Sequence, residues 1–282
     1  MSRFTLMSCS ALAAVVASAV PAMAAITVIH QWDMGASEVD GGNGNVIGQQ
    51  LPTGGSQTDL VGGPNAVNLS NELGGSGVYT GPIYTSNAAP GNSVAVQFTG
   101  DAGQSLTATN AFNLTSNFGF QLWVNPTDTN TRMIAYNGNS SSNGWGLVEY
   151  GGQLDGLLGG VAFVNGPTIT PGTWTNLALV VDGQSNTTTL YVNGQAYTTV
   201  SNMPGAPTVD SSGFGFYIGS DVGYQTAYST IDNARIFTFA PGAFSTSDLS
   251  EPGLTVPEPP SLALVAVGFI GLLLMSKRKR SS

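Results

Sequence analysis

The chain has almost no cysteine, histidine or basic charge. Its one cysteine, Cys9, sits close to the N-terminus, so a disulfide-stapled scaffold and a cysteine-ligated metal site are excluded for the rest of the protein. Its one histidine, His30, is all that a Ser-His-Asp or Cys-His device could draw on. Charged residues are 8% of 282 positions, against ~25% in an average soluble domain. Between Ala25 and Val256 the only basic residues are Arg132 and Arg235, set against fifteen acids for a net charge of −13. So few cations cannot trade places with the counterions of a phosphate backbone, which rules out nucleic acid as a partner. The same imbalance repels anionic lipid and attracts divalent cations. The chain also lacks the Glu, Lys, Arg, Ala and Leu richness of a coiled coil or helical bundle, and residues 26–240 contain no convincing amphipathic helix.

What remains is glycine, aromatics and short apolar runs. With 38 Gly and 15 Pro, the chain stays under the combined ~25–30% typical of low-complexity sequence. Twelve Phe, nine Tyr and four Trp suffice for a real core. The two ends read as addresses. Residues 1–24 form a secretory signal peptide: Arg3, an apolar run from Leu12 to Val20, and Ala22-Met23-Ala24 as the small-x-small cleavage pattern. Leu6-Met7-Ser8-Cys9 looks like a lipoprotein box, but it precedes most of the apolar run instead of following it. At the other end Val256-Pro257-Glu258-Pro259-Pro260 leads into an uncharged run, 261–275, and then Lys277, Arg278, Lys279 and Arg280. As a helix that run spans about 22 Å, short of the ~30 Å hydrocarbon core unless flanking residues snorkel. The basic cluster keeps this end cytoplasmic and the body outside.

This order of VPEP, short apolar helix and basic cluster resembles the PEP-CTERM sorting signal of Gram-negative bacteria, with Pro260 intervening where the family has Ser or Thr. The resemblance implies recognition by an exosortase, cleavage near Val256–Pro259, and transit from the inner membrane to the cell surface or extracellular matrix.

Between the addresses the pattern is strand and turn. Val94, Val96 and Phe98 share one face. So do Phe118, Phe120, Leu122 and Val124; Leu177, Leu179 and Val181; and Phe214, Phe216 and Ile218. Further strands fall at 26–32, 133–136, 146–150, 161–164 and 231–239. Asn193-Gly194 marks a type I′ hairpin, and Asp182-Gly183 the turn before it. Residues 34–92 read as long loops around one or two strands. Ten or more strands in one exported domain predict an all-β antiparallel sandwich over 25–240, followed by a linker at 241–255 and the sorting segment at 256–282.

The motifs of this body resemble the LamG-like jelly roll of the concanavalin A-like lectin/glucanase superfamily. The resemblance is carried by His30-Gln31-Trp32-Asp33, Val96-Gln97-Phe98-Thr99-Gly100, Asn117-Phe118-Gly119-Phe120-Gln121-Leu122-Trp123-Val124, Gly172-Thr173-Trp174, Leu190-Tyr191-Val192-Asn193-Gly194 and Ile231-Asp232-Asn233-Ala234-Arg235-Ile236-Phe237. It implies a structural calcium at strand ends, for which Asp33, Asp101 and Asp232 are the candidate ligands. Asp221 lies in a loop of similar character. Trp123 and Trp174 are expected in the core. Trp145, after the polar run 140–144, is the candidate for stacking on a sugar, with Tyr224 and Tyr228 as second choices. His30, on a predicted strand beside Trp32, reads as a core or sheet-face residue rather than a catalytic one.

The chain has no Glu-x-Asp-x(x)-Glu run of the superfamily's glycosidases, and Glu149 and Asp155 flank a Gly151-Gly152 turn. The reading is therefore a non-catalytic exported protein that binds extracellular polysaccharide or a surface partner. The alternatives are a divergent glycan hydrolase or lyase on the same fold, and an anchored structural adhesin without glycan affinity.

Overall fold

The computed structural model describes residues 26–34, 47–51, 56–61, 66–71, 81–101, 103–160, 162–201, 214–220 and 225–249. The signal peptide, the sorting segment, Asp221 and Tyr224 lie outside them. Among these described residues sixteen strands follow one another: β1 (Ile26–Trp32), β2 (Ser56–Gln57), β3 (Leu69–Asn71), β4 (Ile83–Thr85), β5 (Ala95–Gln97), β6 (Leu106–Ala108), β7 (Phe118–Pro126), β8 (Arg132–Asn137), β9 (Trp145–Tyr150), β10 (Gln153–Leu158), β11 (Ala162–Val164), β12 (Thr175–Asp182), β13 (Thr187–Val192), β14 (Gln195–Ser201), β15 (Phe216–Ile218) and β16 (Ser229–Phe239). They pair antiparallel into two eight-stranded sheets packed as a sandwich. The first runs β14-β13-β12-β7-β16-β5-β4, with β1 also paired to β16; the second runs β11-β10-β9-β8-β15-β6-β3-β2.

Alternation does what the sequence predicts. Phe118, Phe120, Leu122 and Val124 of β7, and Leu177, Leu179 and Val181 of β12, point between the sheets into one core. Asn193 and Gly194 close the β13–β14 hairpin with φ of 50° and 76°, as a type I′ turn demands. Residues 34–92 hold three short strands among their described residues, one more than expected. Strands of two or three residues are too short to show a period.

Aromatic rings form a spine through this core. Phe118 meets Trp145 at 5.0 Å between centroids, Trp145 meets Phe120 at 5.7 Å, and Phe120 meets Phe216 edge-on at 5.4 Å. Phe216 continues to Trp32 at 5.5 Å and Phe112 at 5.3 Å. Trp145 is therefore a core residue with no exposed surface, not an exposed stacking platform. It opens β9 on the same face as Leu147, and that parity points it inward.

The outer face of the first sheet is covered too. Ala178, Val180, Phe237 and Phe239 form a second apolar cluster, joined by Leu249. Phe244 lies flat against Phe237 (6.2 Å, 6°) and packs on Phe239 and Tyr191. The domain thus continues to Leu249, into the segment read as a linker from 241. On β7 this face needs Gly119, because a Cβ there would sit 2.2 Å from the Phe237 ring. Among the described residues no helix is long and apolar enough to cross a membrane.

Trp145→Ala removes the middle of the spine. It is expected to cost about 3–5 kcal/mol of unfolding free energy, read by urea titration of the exported protein. Unchanged stability would place the indole outside the core.

Candidate functional site

Where the spine reaches the rim, a cavity of about 350 Å³ opens between β1 and the ends of β3 and β6. This lies within the ~300–1,000 Å³ range of small-molecule sites. Its polar lining is His30, Asn68, Thr109 and Asn110; its main apolar surface is Phe112, whose ring lies 4.6 Å from the imidazole of His30. Trp32 makes a nearly parallel contact with the imidazole (5.9 Å, 10°) and itself meets Phe112 at 6.3 Å. The indole Nε1 of Trp32 donates to the carbonyl of Val67 at 2.9 Å, which fixes the cavity wall beside Asn68.

Beneath His30 lies Asp59. Its side chain has no exposed surface, and Oδ2 is 2.7 Å from His30 Nδ1. Three backbone amides converge on the same carboxylate. Gln31 and Val61 donate to Oδ1, each at 3.1 Å, and Val67 donates to Oδ2 at 3.0 Å. Burial pushes this carboxyl up, but the hydrogen bonds from His30, Val67, Gln31 and Val61 outweigh it and hold Asp59 below the ordinary aspartate range. His30 is thus neither an isolated core histidine nor a bare sheet-face residue. It is a paired imidazole at the lip of a cavity. Reading 34–92 as loops conceals Asp59, which stands 29 residues from its partner.

The expected ion ligands are not brought together. Asp33 is buried just beyond β1, with no partner for Oδ1. Asp101 is exposed, and Oδ2 accepts from Thr99 Oγ1 at 2.9 Å. Asp232 is fully buried and accepts from the amides of Ala89 (2.9 Å) and Asn233 (2.8 Å) and from Asn92 Nδ2 (3.0 Å). Those donors make it a clamp for the loop at 86–92. Among the described residues no three His, Cys, Asp or Glu converge as a metal would require.

The remaining sequence candidates are also placed. Tyr228 is half-buried beneath the guanidinium of Arg132, 5.4 Å from its ring centre, so one ring face is already taken. Trp123 is buried on the outer face of the first sheet, and Trp174, expected in the core, is half-buried with Nε1 3.3 Å from Asn87 Oδ1. Glu149 and Asp155 lie on opposite faces of the second sheet. Glu149 pairs with Leu154, which faces the core; Asp155 pairs with Val148, which belongs to a cluster on the other side. They do not share a cleft.

Glu149 is fully buried, and no group donates to either carboxyl oxygen in good hydrogen-bond geometry, the Ser229 hydroxyl giving only weak support. Burial, helped by the charge of Asp128 and opposed by Arg132 and Ser229, pushes it up to about 8. It therefore keeps its proton in the folded protein at pH 7, whereas unfolding returns it to about 4.5. The unfolded state binds fewer protons in between, so stability falls as pH rises from about 4.5 to about 8 and levels off above, by on the order of 5 kcal/mol. Asp155, also raised by burial, acts in the same direction. Glu149→Gln should make the slope of melting temperature against pH much shallower in this window; an unaltered slope would show that Glu149 is not its source.

A family model of the concanavalin A-like lectin/glucanases superfamily matches residues 98–243. A model of the PEP-CTERM protein-sorting motif matches residues 255–279. Among solved structures, domain 4 of AbnA, a GH43 extracellular arabinanase from Geobacillus stearothermophilus, superposes with a TM-score of 0.53 at 18% identity, over 80% of this chain and 99% of that one. The binding domain of Paraclostridial Mosquitocidal Protein 1 superposes with a TM-score of 0.52 at 15% identity, over 72% of this chain and 50% of that one. At these identities the likeness is one of fold. No curated protein matches the sequence.

Proposed function

The chain belongs to the concanavalin A-like lectin/glucanases superfamily and carries a PEP-CTERM protein-sorting motif, and from that premise we propose that it is an exported, non-catalytic carbohydrate-binding protein. The motif implies export and membrane-associated processing by exosortase-type machinery. In this reading Val256, Pro257, Glu258 and Pro259 mark the cut, and the mature protein then works at the cell surface or in the extracellular matrix, on polysaccharide.

The observation that carries the proposal is the cavity at the rim. An aromatic face at Phe112, carboxamides at Asn68 and Asn110, a hydroxyl at Thr109 and a paired imidazole at His30 are what a sugar ring needs: an apolar surface for its C–H face and hydrogen-bonding groups for its hydroxyls. The fold neighbour from the arabinanase is itself in complex with arabinotriose, which is in keeping with a sugar as ligand. The separation of Glu149 and Asp155 onto opposite sheet faces supports binding without hydrolysis.

Titration calorimetry against neutral and acidic polysaccharides tests this. Phe112→Ala should weaken binding tenfold or more. Asn110→Ala, at an exposed lining position, should also weaken it while leaving the melting temperature unchanged. Affinity untouched by both variants, or release of reducing sugar that Glu149→Gln abolishes, would overturn the proposal. Mass spectrometry of the exported protein should find a chain that ends near Val256–Pro259; an intact Lys277–Arg280 tail would replace processing with permanent anchoring.

A further inference from the structure

We propose that Asp59 locks His30 as the Nδ1–H form, so that Nε2 meets the cavity as a hydrogen-bond acceptor and selects uncharged, hydroxyl-bearing sugars over anionic ones. This inference rests on the carbohydrate reading above and names its ligand class.

The geometry around Asp59 places a proton on Nδ1. Three backbone N–H groups, from Gln31, Val61 and Val67, already donate to its oxygens. These donors hold the carboxyl below the ordinary aspartate range, so it is ionised and its oxygens only accept. The imidazole nitrogen 2.7 Å from Oδ2 must then be the donor, which puts the proton on Nδ1. A half-turn of the ring would put Cδ2 where Nδ1 stands and forfeit the bond to Asp59. In neutral imidazole the second nitrogen carries a lone pair. Nδ1 is committed to Asp59, so Nε2 is the ring nitrogen left for the cavity. A sugar hydroxyl can donate to that lone pair; a carboxylate or sulfate oxygen is repelled by it.

Charge points the same way. An anionic glycan needs a cation, and between Ala25 and Val256 the chain has Arg132 and Arg235 alone. Arg132 is spent on both oxygens of Asp128 (3.3 and 2.9 Å) and on the carbonyl of Thr226 (3.0 Å). Arg235 is buried, bonded to Gln121 Oε1 at 2.8 Å and to the carbonyl of Asp248 at 3.0 Å. The rest of the body repels polyanions with a net charge of −13.

A protein with one histidine allows a direct test, since every imidazole signal of the untagged exported protein comes from His30. At mildly alkaline pH, nitrogen-15 NMR should show a protonated Nδ1 and a bare Nε2. Arabinotriose or another neutral trisaccharide should move the Nε2 resonance, and trigalacturonate at equal concentration should not. Asp59→Asn can turn its amide N–H toward Nδ1 and move the proton to Nε2; it should lower neutral-sugar affinity at least tenfold. Should that variant fail to fold, His30→Gln, which retains an acceptor, should bind more tightly than His30→Leu.

A proton on Nε2 in the wild type would overturn the inference, as would tighter binding of trigalacturonate than of the neutral sugars. A neutral trisaccharide that binds by calorimetry without moving Nε2 would overturn it while leaving carbohydrate binding intact. Absence of neutral-sugar binding by calorimetry would overturn both.

Discussion

The contact on which the rest depends is the line of aromatic rings between the sheets. A domain with no disulfide in its body and 8% charged residues overall draws its stability mainly from buried apolar area. Here that area is organised as a chain of edge-on, tilted and stacked rings from Phe118 through Trp145, Phe120 and Phe216 to Trp32 and Phe112. The rings come from β1, the loop before β7, β7 itself, β9 and β15, so the spine ties both sheets and that loop together. Its last member, Phe112, is only half-buried and touches His30. The candidate binding surface is thus the open end of the core. An aromatic wall that has to be rigid for packing is also rigid for a ligand, which lowers the entropic cost of recognition.

The other broad surface, the outer face of the first sheet, is spent on the protein itself. Two residues of β16 on either side of a bulge do this work. Asp232 clamps the loop at 86–92, and Arg235 reaches the carbonyl of Asp248 in the segment after the sheet. Asn233, at φ 46°, supplies the bulge that keeps Ile231 and Ile236 pointing inward around them. Gln121 completes the arrangement by donating Nε2 to Asn176 Oδ1 and to the carbonyl of Leu249. Polar residues on a sheet face suggest solvent in the sequence, yet here they are buried because they satisfy backbone groups of covering segments.

Period-two alternation made β7, β12 and β15 legible, and an Asn-Gly pair made the β13–β14 hairpin legible, because both signals are local. β10 escaped because Asp155 and Gly156 interrupt its apolar run. The missing side chain at 156 is what lets Leu179 approach, since a Cβ there would lie 2.5 Å from its Cδ1. Trp145 was misplaced because the polar residues before it hide that it is the first inward position of a strand. The His30–Asp59 pair was out of reach for a different reason. Nothing local joins two residues on separate elements, and only the folded loop places three amides around one carboxylate.

The fold also constrains how the sorting segment relates to its cargo. The matched motif begins at 255, six residues beyond Leu249, and Leu249 is buried under Gln121 and the second apolar cluster. Six residues reach about 20 Å when fully extended, so the sandwich stands within that distance of the motif during membrane-associated processing. In the proposed reading this spacing would bring an acidic body up to the bilayer, where a net charge of −13 offers anionic headgroups no attraction. In the proposed reading the link to the membrane falls to the tail alone, and its removal would leave no electrostatic reason for the body to remain.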